Sequence, residues 1–488
     1  MTQPTSAGPV RHSARSMARA GGLHGLGVHV LLAGAFLPIA DFFIVNVALP
    51  TIQASLNATP AALELVVSVY GVAYAAMLVL GGRLGDRYGR HTLFLAGLAG
   101  FILASLACGL APTINVLIAA RLLQGATAAM LVPQVLATFQ ATLTGERKTK
   151  AIALYGATSG IAAIVGQLAG GLLVSANLFG TSWRPIFLIN IPLGIVVFFA
   201  SRLVVPANRS PHPAGIDLPG TVLFAATLTA LLVPLTEGHS LGWPAWTKAM
   251  LAAAVMLALF TAMIEKATEA RGAVPLLPPS LLSLPSMARG LAMITLFSLG
   301  FGAFMFVFAL TVQNGLGANA LQSGLAVLPM AIMFFIGSVV SPRVIGRFGR
   351  GALAAGGIVQ ALGLALLIGI ILAGWPKVGL VELAPALVLI GAGQSMLFSG
   401  LFRAVLADVP SHLAGVGSGV LITLQQSGLA LGVATLGTLY LALEPAGIAQ
   451  AFATVIASQL LIIVALVLCT GLLPRFTSHQ AHAQPVEM

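Results

Sequence analysis

Fourteen apolar stretches, each long enough to cross a bilayer and most of them joined by short polar loops, constrain this chain more than any other feature. A spanning helix needs about 20 apolar residues, because each residue rises about 1.5 Å through a hydrocarbon core about 30 Å thick. The stretches lie near residues 26–47, 61–81, 92–111, 114–139, 151–174, 185–204, 218–236, 247–265, 288–312, 321–341, 352–374, 383–406, 415–442 and 449–473. Only 7% of the residues are charged, against about 25% in soluble domains, so most of the chain belongs in lipid. The expected fold class is an all-α polytopic membrane protein.

A charged segment, Gly82-Arg83-Leu84-Gly85-Asp86-Arg87-Tyr88-Gly89-Arg90, falls between the second and third stretches. It recurs as Gly346-Arg347-Phe348-Gly349-Arg350, again between two apolar runs. A loop met twice in equivalent settings implies two similar halves, an architecture typical of secondary transporters. The expected organisation is a tail over 1–25, a six-helix bundle over 26–205, two additional helices over 206–270, a second six-helix bundle over 271–474 and a tail over 475–488.

Lys and Arg in short loops favour the cytoplasmic side. With the N-terminus inside, nineteen of the 23 basic residues fall on the cytoplasmic side, from Arg11, Arg15 and Arg19 to Arg475. Only Arg184, Lys248 and Lys377 fall outside, and Arg121 lies within a span. One missed helix would invert every later loop, so this asymmetry places both termini in the cytoplasm. The formal charge of +11 is therefore spread over many inner loops, where it suits anionic lipid. It forms no compact patch with interleaved aromatics, and no nucleic-acid partner is expected. The N-terminal tail is unlike the n-region of a signal peptide, and the first apolar run is read as a retained helix.

Cys108 and Cys469 lie in apolar runs as small hydrophobes. No cysteine or histidine spacing suits a metal, and no cofactor is expected. Nor does the chain hold a catalytic cluster or a sizeable soluble domain, which argues against an enzyme or receptor.

Charged residues inside spans are costly and are functional candidates by default. Asp41, in the second half of the first helix, is the strongest: a carboxyl in a low-dielectric site can load and unload a proton. Its bland alternative is a solvated place near the outer interface. Arg121, in the fourth helix within Arg121-Leu122-Leu123-Gln124-Gly125, stays charged at depth and needs an acceptor. The fifth helix carries small residues about one turn apart: Gly156, Gly160, Gly166, Gly170 and Gly171. Such residues let backbones approach closely in lipid, as a packing face or as a sliding seam.

Taken together, these segments resemble the major facilitator superfamily, and within it the fourteen-span drug:proton antiporters of the EmrB/QacA type. Gly82, Asp86, Arg87, Gly89 and Arg90 resemble the signature between helices 2 and 3. Asp41 to Pro50, Arg121 to Gly125, Gly156 to Gly171, and Trp183 to Gly194 resemble the signatures of helices 1, 4, 5 and 6. The resemblance implies a major facilitator fold of two six-helix bundles with two central extra helices. It further implies that Asp41 is a proton-coupling carboxylate and Arg121 part of its relay. Gly82, Asp86, Arg87, Gly89 and Arg90 would form a cytoplasmic gate, and the glycines of helix 5 an antiporter motif. Three departures stand out: Phe43 where many relatives have threonine, Gln167 in place of a proline, and Gly346 in place of an acid.

The expected activity is proton-coupled export of hydrophobic or amphipathic toxic compounds, with small-molecule substrate, protons and the bilayer as partners. The implied setting is a functional monomer in a bacterial-type plasma membrane. A transporter of a specific metabolite, such as an amino acid, sugar derivative or siderophore, is the alternative. Phe36, Phe301, Phe304, Met305 and Phe308 have spacings that would let them line an apolar cavity. Glu64, near the outer end of helix 2, and Glu237, beyond helix 7, are read as exposed loop acids, with attraction of cations as the alternative.

Overall fold

The computed structural model describes residues 23–473 apart from 210–214, 216, 240 and 410–413. Both tails, with Arg11, Arg15, Arg19 and Arg475, lie outside the described residues. The described chain contains fourteen helices long and apolar enough to span a membrane. They are α1 (Gly25–Leu56), α2 (Pro60–Tyr88), α3 (Arg90–Gly109), α4 (Ile114–Thr142), α5 (Lys150–Ala176), α6 (Pro185–Val204) and α7 (Leu218–Glu237). There follow α8 (Ala245–Ala270), α9 (Pro285–Gly315), α10 (Ala320–Phe348), α11 (Arg350–Gly374), α12 (Leu380–Val405), α13 (Val416–Ala446) and α14 (Ile448–Leu472).

Several helices outrun their apolar cores, and this changes the reading of the charged segments. α2 stays helical to Tyr88, so Gly82, Arg83, Asp86 and Arg87 ride on its last turns and the loop shrinks to Gly89. Gly89 has φ +107 and its N–H returns to the Gly85 carbonyl at 2.9 Å. At the second copy Gly349 has φ +55 and its N–H meets Ile345 O at 2.8 Å. A residue without Cβ is suited to stop a helix in that conformation and start the next one at once. What the two copies share is thus a one-glycine hinge between long helices. α1 also continues past its expected end, through a 3-10 turn at Asn46–Ala48 into Leu49–Leu56. Pro50 fits there because a first turn needs no N–H from it.

Helices α2, α3 and α4 pack together, as α1 does on α5; in the later part α10, α11 and α12 form one group, and α9 packs on α13. Two seams join the earlier helices to the later ones, α5 against α10 and α2 against α13. The first seam tapers. At the end remote from Gly89, a Cβ on Gly171 would lie 2.6 Å from Ala320 O, one on Gly324 2.7 Å from Gln167 O, and Leu321 N donates to Ser175 Oγ at 3.1 Å. Midway, Gly160 has only Phe334 beyond 3.4 Å, and nothing lies within 4 Å of the Cβ positions of Gly156 or Gly346. This seam is shut at the remote end and parted at the Gly89 end.

The second seam is covered by α7. Its Phe224, Leu228 and Leu232 form one apolar cluster with Val72, Ala75, Ala76 and Val79 of α2 and Ala430 and Ala434 of α13. α8 packs on α7 and leaves Val255, Met256, Leu259, Phe260 and Met263 exposed, as a helix bathed in acyl chains requires.

Candidate proton-coupling site

Asp41 is 1% exposed and Arg121 0%, so the carboxylate is interior and not at an interface. Pro38 and the aromatic pair Phe42 and Phe43, whose rings are 5.1 Å apart, flank the acid on α1. Arg121 Nη1 donates to Asp41 Oδ2 and also to Gln124 Oε1 at 2.7 Å. The other carboxylate oxygen accepts from Gln124 Nε2 at 3.0 Å and Asn190 Nδ2 at 2.7 Å. Ser105 Oγ accepts from Gln124 Nε2 at 2.8 Å and from Asn190 Nδ2 at 3.4 Å. Helices α1, α3, α4 and α6 each supply part of this cluster.

The arginine is held by more than its counter-ion. Its Nε donates to Val66 O at 3.1 Å, and its guanidinium carbon lies 4.2 Å from the Tyr70 ring centre and 5.7 Å from that of Phe187. Tyr70 is fixed in turn by a hydrogen bond from its hydroxyl to Pro38 O at 2.9 Å. A cation over aromatic faces keeps part of its stabilisation without the carboxylate. That arrangement allows Asp41 to take up a proton while the Arg121 charge stays in place, even though losing one partner of a buried pair typically costs about 3–5 kcal/mol. Arg121 Nη2 is buried without a partner, a donor that a rearranged state can use.

Sequence reading singled out both residues but neither their pairing nor their shell. Asn190 stood within the recognised helix 6 segment and Gln124 within that of helix 4, while Ser105 and Tyr70 passed unnoticed. The available signal was spacing. Arg121 and Gln124, like Ser105 and Cys108, are three apart and share a helix face, and amides are rare inside apolar spans. Cys108 is more than a small hydrophobe, since its thiol lies 3.5 Å from Gln124 Oε1.

At the Gly89 end, Arg90 Nε and Nη2 both donate to Asp86 Oδ1, at 2.9 and 2.7 Å. This pair is partly exposed and lies within the α2–α3 hairpin, and among the described residues it makes no bridge to the later helices. Arg87 is exposed, with its guanidinium 5.8 Å from the Tyr88 ring centre. Gly82 lies 3.9 Å from Pro133 by its Cβ position. Arg83, counted in the sequence only as a loop charge, is 6% exposed. It donates to Gly215 O at 3.1 Å and Pro275 O at 2.5 Å, the segments just before α7 and just after α8. Asp217 caps α7 at Gly220 N and also accepts from Leu276 N at 2.8 Å, and Glu265 accepts from Leu277 N at 3.1 Å. The inserted hairpin is thereby tied at both ends to α2.

The glycines of α5 divide their tasks. Gly166 and Gly170 press on Ala40, Ile44 and Val47 of α1, Gly171 faces α10, and Gly156 faces open space. α5 runs through Gln167 unbroken, as a helix without the proline allows. The candidate cavity residues separate as well. Phe301 faces Phe43 with ring centres 5.7 Å apart, and Met305 Sδ accepts from Gln167 Nε2 at 3.5 Å, so both lie where the earlier and later helices meet. Phe304 and Phe308 stack on each other, and Phe308 reaches Phe452 of α14 instead. Phe36 is half-buried on α1.

Glu64 departs from its expected place in an exposed loop. It is 0% exposed on the second turn of α2 and bonded to Thr438 of α13 at 2.9 Å, because α13 packs over this end of the helix. Glu237, likewise read as an exposed loop acid, is the last residue of α7 and half-buried.

A family model described as Major Facilitator Superfamily matches residues 31–433. The chain belongs to the Major Facilitator Superfamily. This superfamily member is a membrane transporter and not an enzyme, and it sits with the fourteen-span drug-exporter type that its motifs resemble. It is 37% identical to the probable actinorhodin transporter of Streptomyces coelicolor, over 90% of this chain and 75% of that protein. It is 34% identical to the puromycin resistance protein pur8 of Streptomyces alboniger, over 84% and 81% of the two chains. Identity to the cephamycin export protein CmcT of Amycolatopsis lactamdurans is 36%, over 83% and 82%. An auto-inhibited peptide transporter of the POT family superposes on this superfamily fold with a TM-score of 0.66 and 16% identity, covering 94% of this chain and 99% of that one.

Proposed function

We propose that this transporter exports hydrophobic or amphipathic toxic compounds, antibiotics among them, in exchange for protons. The observation that carries the proton half of this reading is the Asp41–Arg121 pair, sealed from solvent and built so that the arginine keeps other contacts when the acid is neutral. The relatives support the compound class, being named for transport of or resistance to antibiotics.

In this reading both termini are cytoplasmic, as the distribution of Lys and Arg favours, in a bacterial plasma membrane. The Gly89 end is then the inner end, and the α5–α10 seam is closed outside and parted inside. The halves 26–205 and 271–474 rock against each other in a functional monomer. The inserted pair, 206–270, stays with α2 through Arg83. Asp86 and Arg90, paired within their own hairpin while the inner side is open, exchange partners together with Arg87 when it shuts, on a backbone that Gly82 and the hinge at Gly89 leave free to approach. Protonation of Asp41 weakens its hold on Arg121, Gln124 and Asn190, and so links the proton to helices α1, α4 and α6.

A susceptibility and accumulation panel, with and without a proton uncoupler, tests the reading. Accumulation that rises in the presence of uncoupler for several unrelated apolar compounds is the expected result. Response to a single compound class would instead favour the metabolite exporter, and indifference to uncoupler would remove the proton.

A further inference from the structure

Glu64 is a fully buried carboxyl that the exchange at Asp41 does not use. It sits two residues from Val66, whose carbonyl holds Arg121, and at the outer end of the α2–α13 seam in the proposed topology. Among the described residues no cation pairs with it, and its Oε1 is buried without a partner. Its one bond is to Thr438 Oγ1, at 2.9 Å. That hydroxyl also lies 2.9 Å from Ala434 O and 3.2 Å from Leu235 O of α7. One hydroxyl hydrogen cannot serve three acceptors. A neutral Glu64 supplies the missing hydrogen: the acid donates to Oγ1, and the hydroxyl donates on to a carbonyl. An ionised Glu64 would sit in the seam without counter-charge, and its lost hydration would go unrepaid.

The surroundings reinforce this. The charged group that acts on Glu64 is Glu237 of α7, of like sign. On α13 it faces Gly437, whose Cβ position is 3.6 Å from Oε1, and Gly437 in turn abuts Phe306 of α9. Further out Glu444, with Gln53 and Asn314, lines a cavity of about 70 Å³ next to Leu63. Tyr440 is engaged by Thr311 at 3.1 Å. α13 is π-helical over Val433–Gly437, just before Thr438, and such local widenings often mark working positions in helices.

We propose that Glu64 is a protonation-dependent latch of the α2–α13 seam: neutral while that seam is closed, ionised once it opens to water. The proton comes from and returns to the outer solution, so this site gates without carrying protons through. An acidic exterior therefore favours closure. The proposal rests on the topology given above but not on drug export or on Asp41.

The test follows a cysteine reporter, Leu441→Cys, at the outer mouth, labelled by a membrane-impermeant maleimide in right-side-out vesicles, with the parent chain as background. Labelling of the otherwise native chain should rise about tenfold between about pH 6 and about pH 8, where one linked proton allows up to about a hundredfold, after correction for the reagent's own pH dependence. With Glu64→Gln, labelling should stay low and flat; the same rise in that variant, or no rise in the native chain, overturns the latch. If Glu64→Gln does not reach the membrane, Thr438→Val serves: it removes the acceptor of the neutral acid and should raise labelling at acid pH, and unchanged labelling overturns the proposal.

Discussion

Asn190 Nδ2 donates to Asp41 Oδ1 at 2.7 Å, joining α6 to α1 across 149 residues of sequence. Through this contact the carboxylate is held by two neutral amides as well as by a cation, so its protonation state is felt by three helices.

Replacing Asp41 by Asn should abolish proton-driven efflux while the protein still inserts. Proton release on drug addition to everted vesicles checks this, together with membrane yield. Arg121→Ala should be worse for folding, because it strips both the charge partner and the aromatic contacts. Unchanged coupling in Asp41→Asn would remove the carboxylate from the mechanism.

Asn190→Ala leaves the buried acid one donor short, a loss worth about 1–3 kcal/mol. Proton-coupled efflux should fall about tenfold or more, in line with about 1.4 kcal/mol per decade. Counterflow of drug without a proton gradient should fall less. Equal losses in both assays would mean that Asn190 only supports packing.

Gly171→Val places a branched side chain where even a Cβ lies 2.6 Å from Ala320 O, so the α5–α10 seam cannot shut at its end remote from Gly89. Efflux should fall at least tenfold, since the misfit exceeds the roughly 1–3 kcal/mol of ordinary overpacking. Gly156→Ala, facing open space, should stay within about twofold, given the helix preference of alanine. Drug efflux from loaded cells separates the two, and equal sensitivity would contradict the taper.

Arg83→Ala leaves the carbonyls of Gly215 and Pro275 without their donor and should cost about 1.5–3 kcal/mol per lost charged hydrogen bond. Melting in detergent should drop clearly. Asp86→Ala, which breaks a partly exposed pair worth about 0.2–1 kcal/mol, should barely move melting yet slow cycling. The reverse order of melting points would show that Arg83 does not anchor the inserted helices.

What was legible in the sequence followed from local rules. Apolar length alone specified fourteen spans, because lipid offers no partner to a bare peptide group, and the ionisable residues inside spans pointed to Asp41 and Arg121 because such residues are expensive. Local rules failed where helices continued past their apolar stretch. The charged segment was read as a loop, yet α2 carries Asp86 on its final turns and the turn is Gly89. They failed again at Glu64, expected to be exposed because it lies near the end of its span and found fully buried.

Sequence by itself determined the number of spans, the recurrence of the charged segment and which two charges, Asp41 and Arg121, lie inside the spans, since hydropathy and the cost of charge in lipid act residue by residue. Only the tertiary structure decided which partners those charges meet: Asn190 and Gln124 for Asp41, Tyr70 for Arg121, Thr438 for Glu64, and the linker carbonyls for Arg83. The reason is geometric. In a bundle of long helices a buried polar group is satisfied sideways, by whichever helix lies next to it, and that neighbour is set by packing across the whole chain.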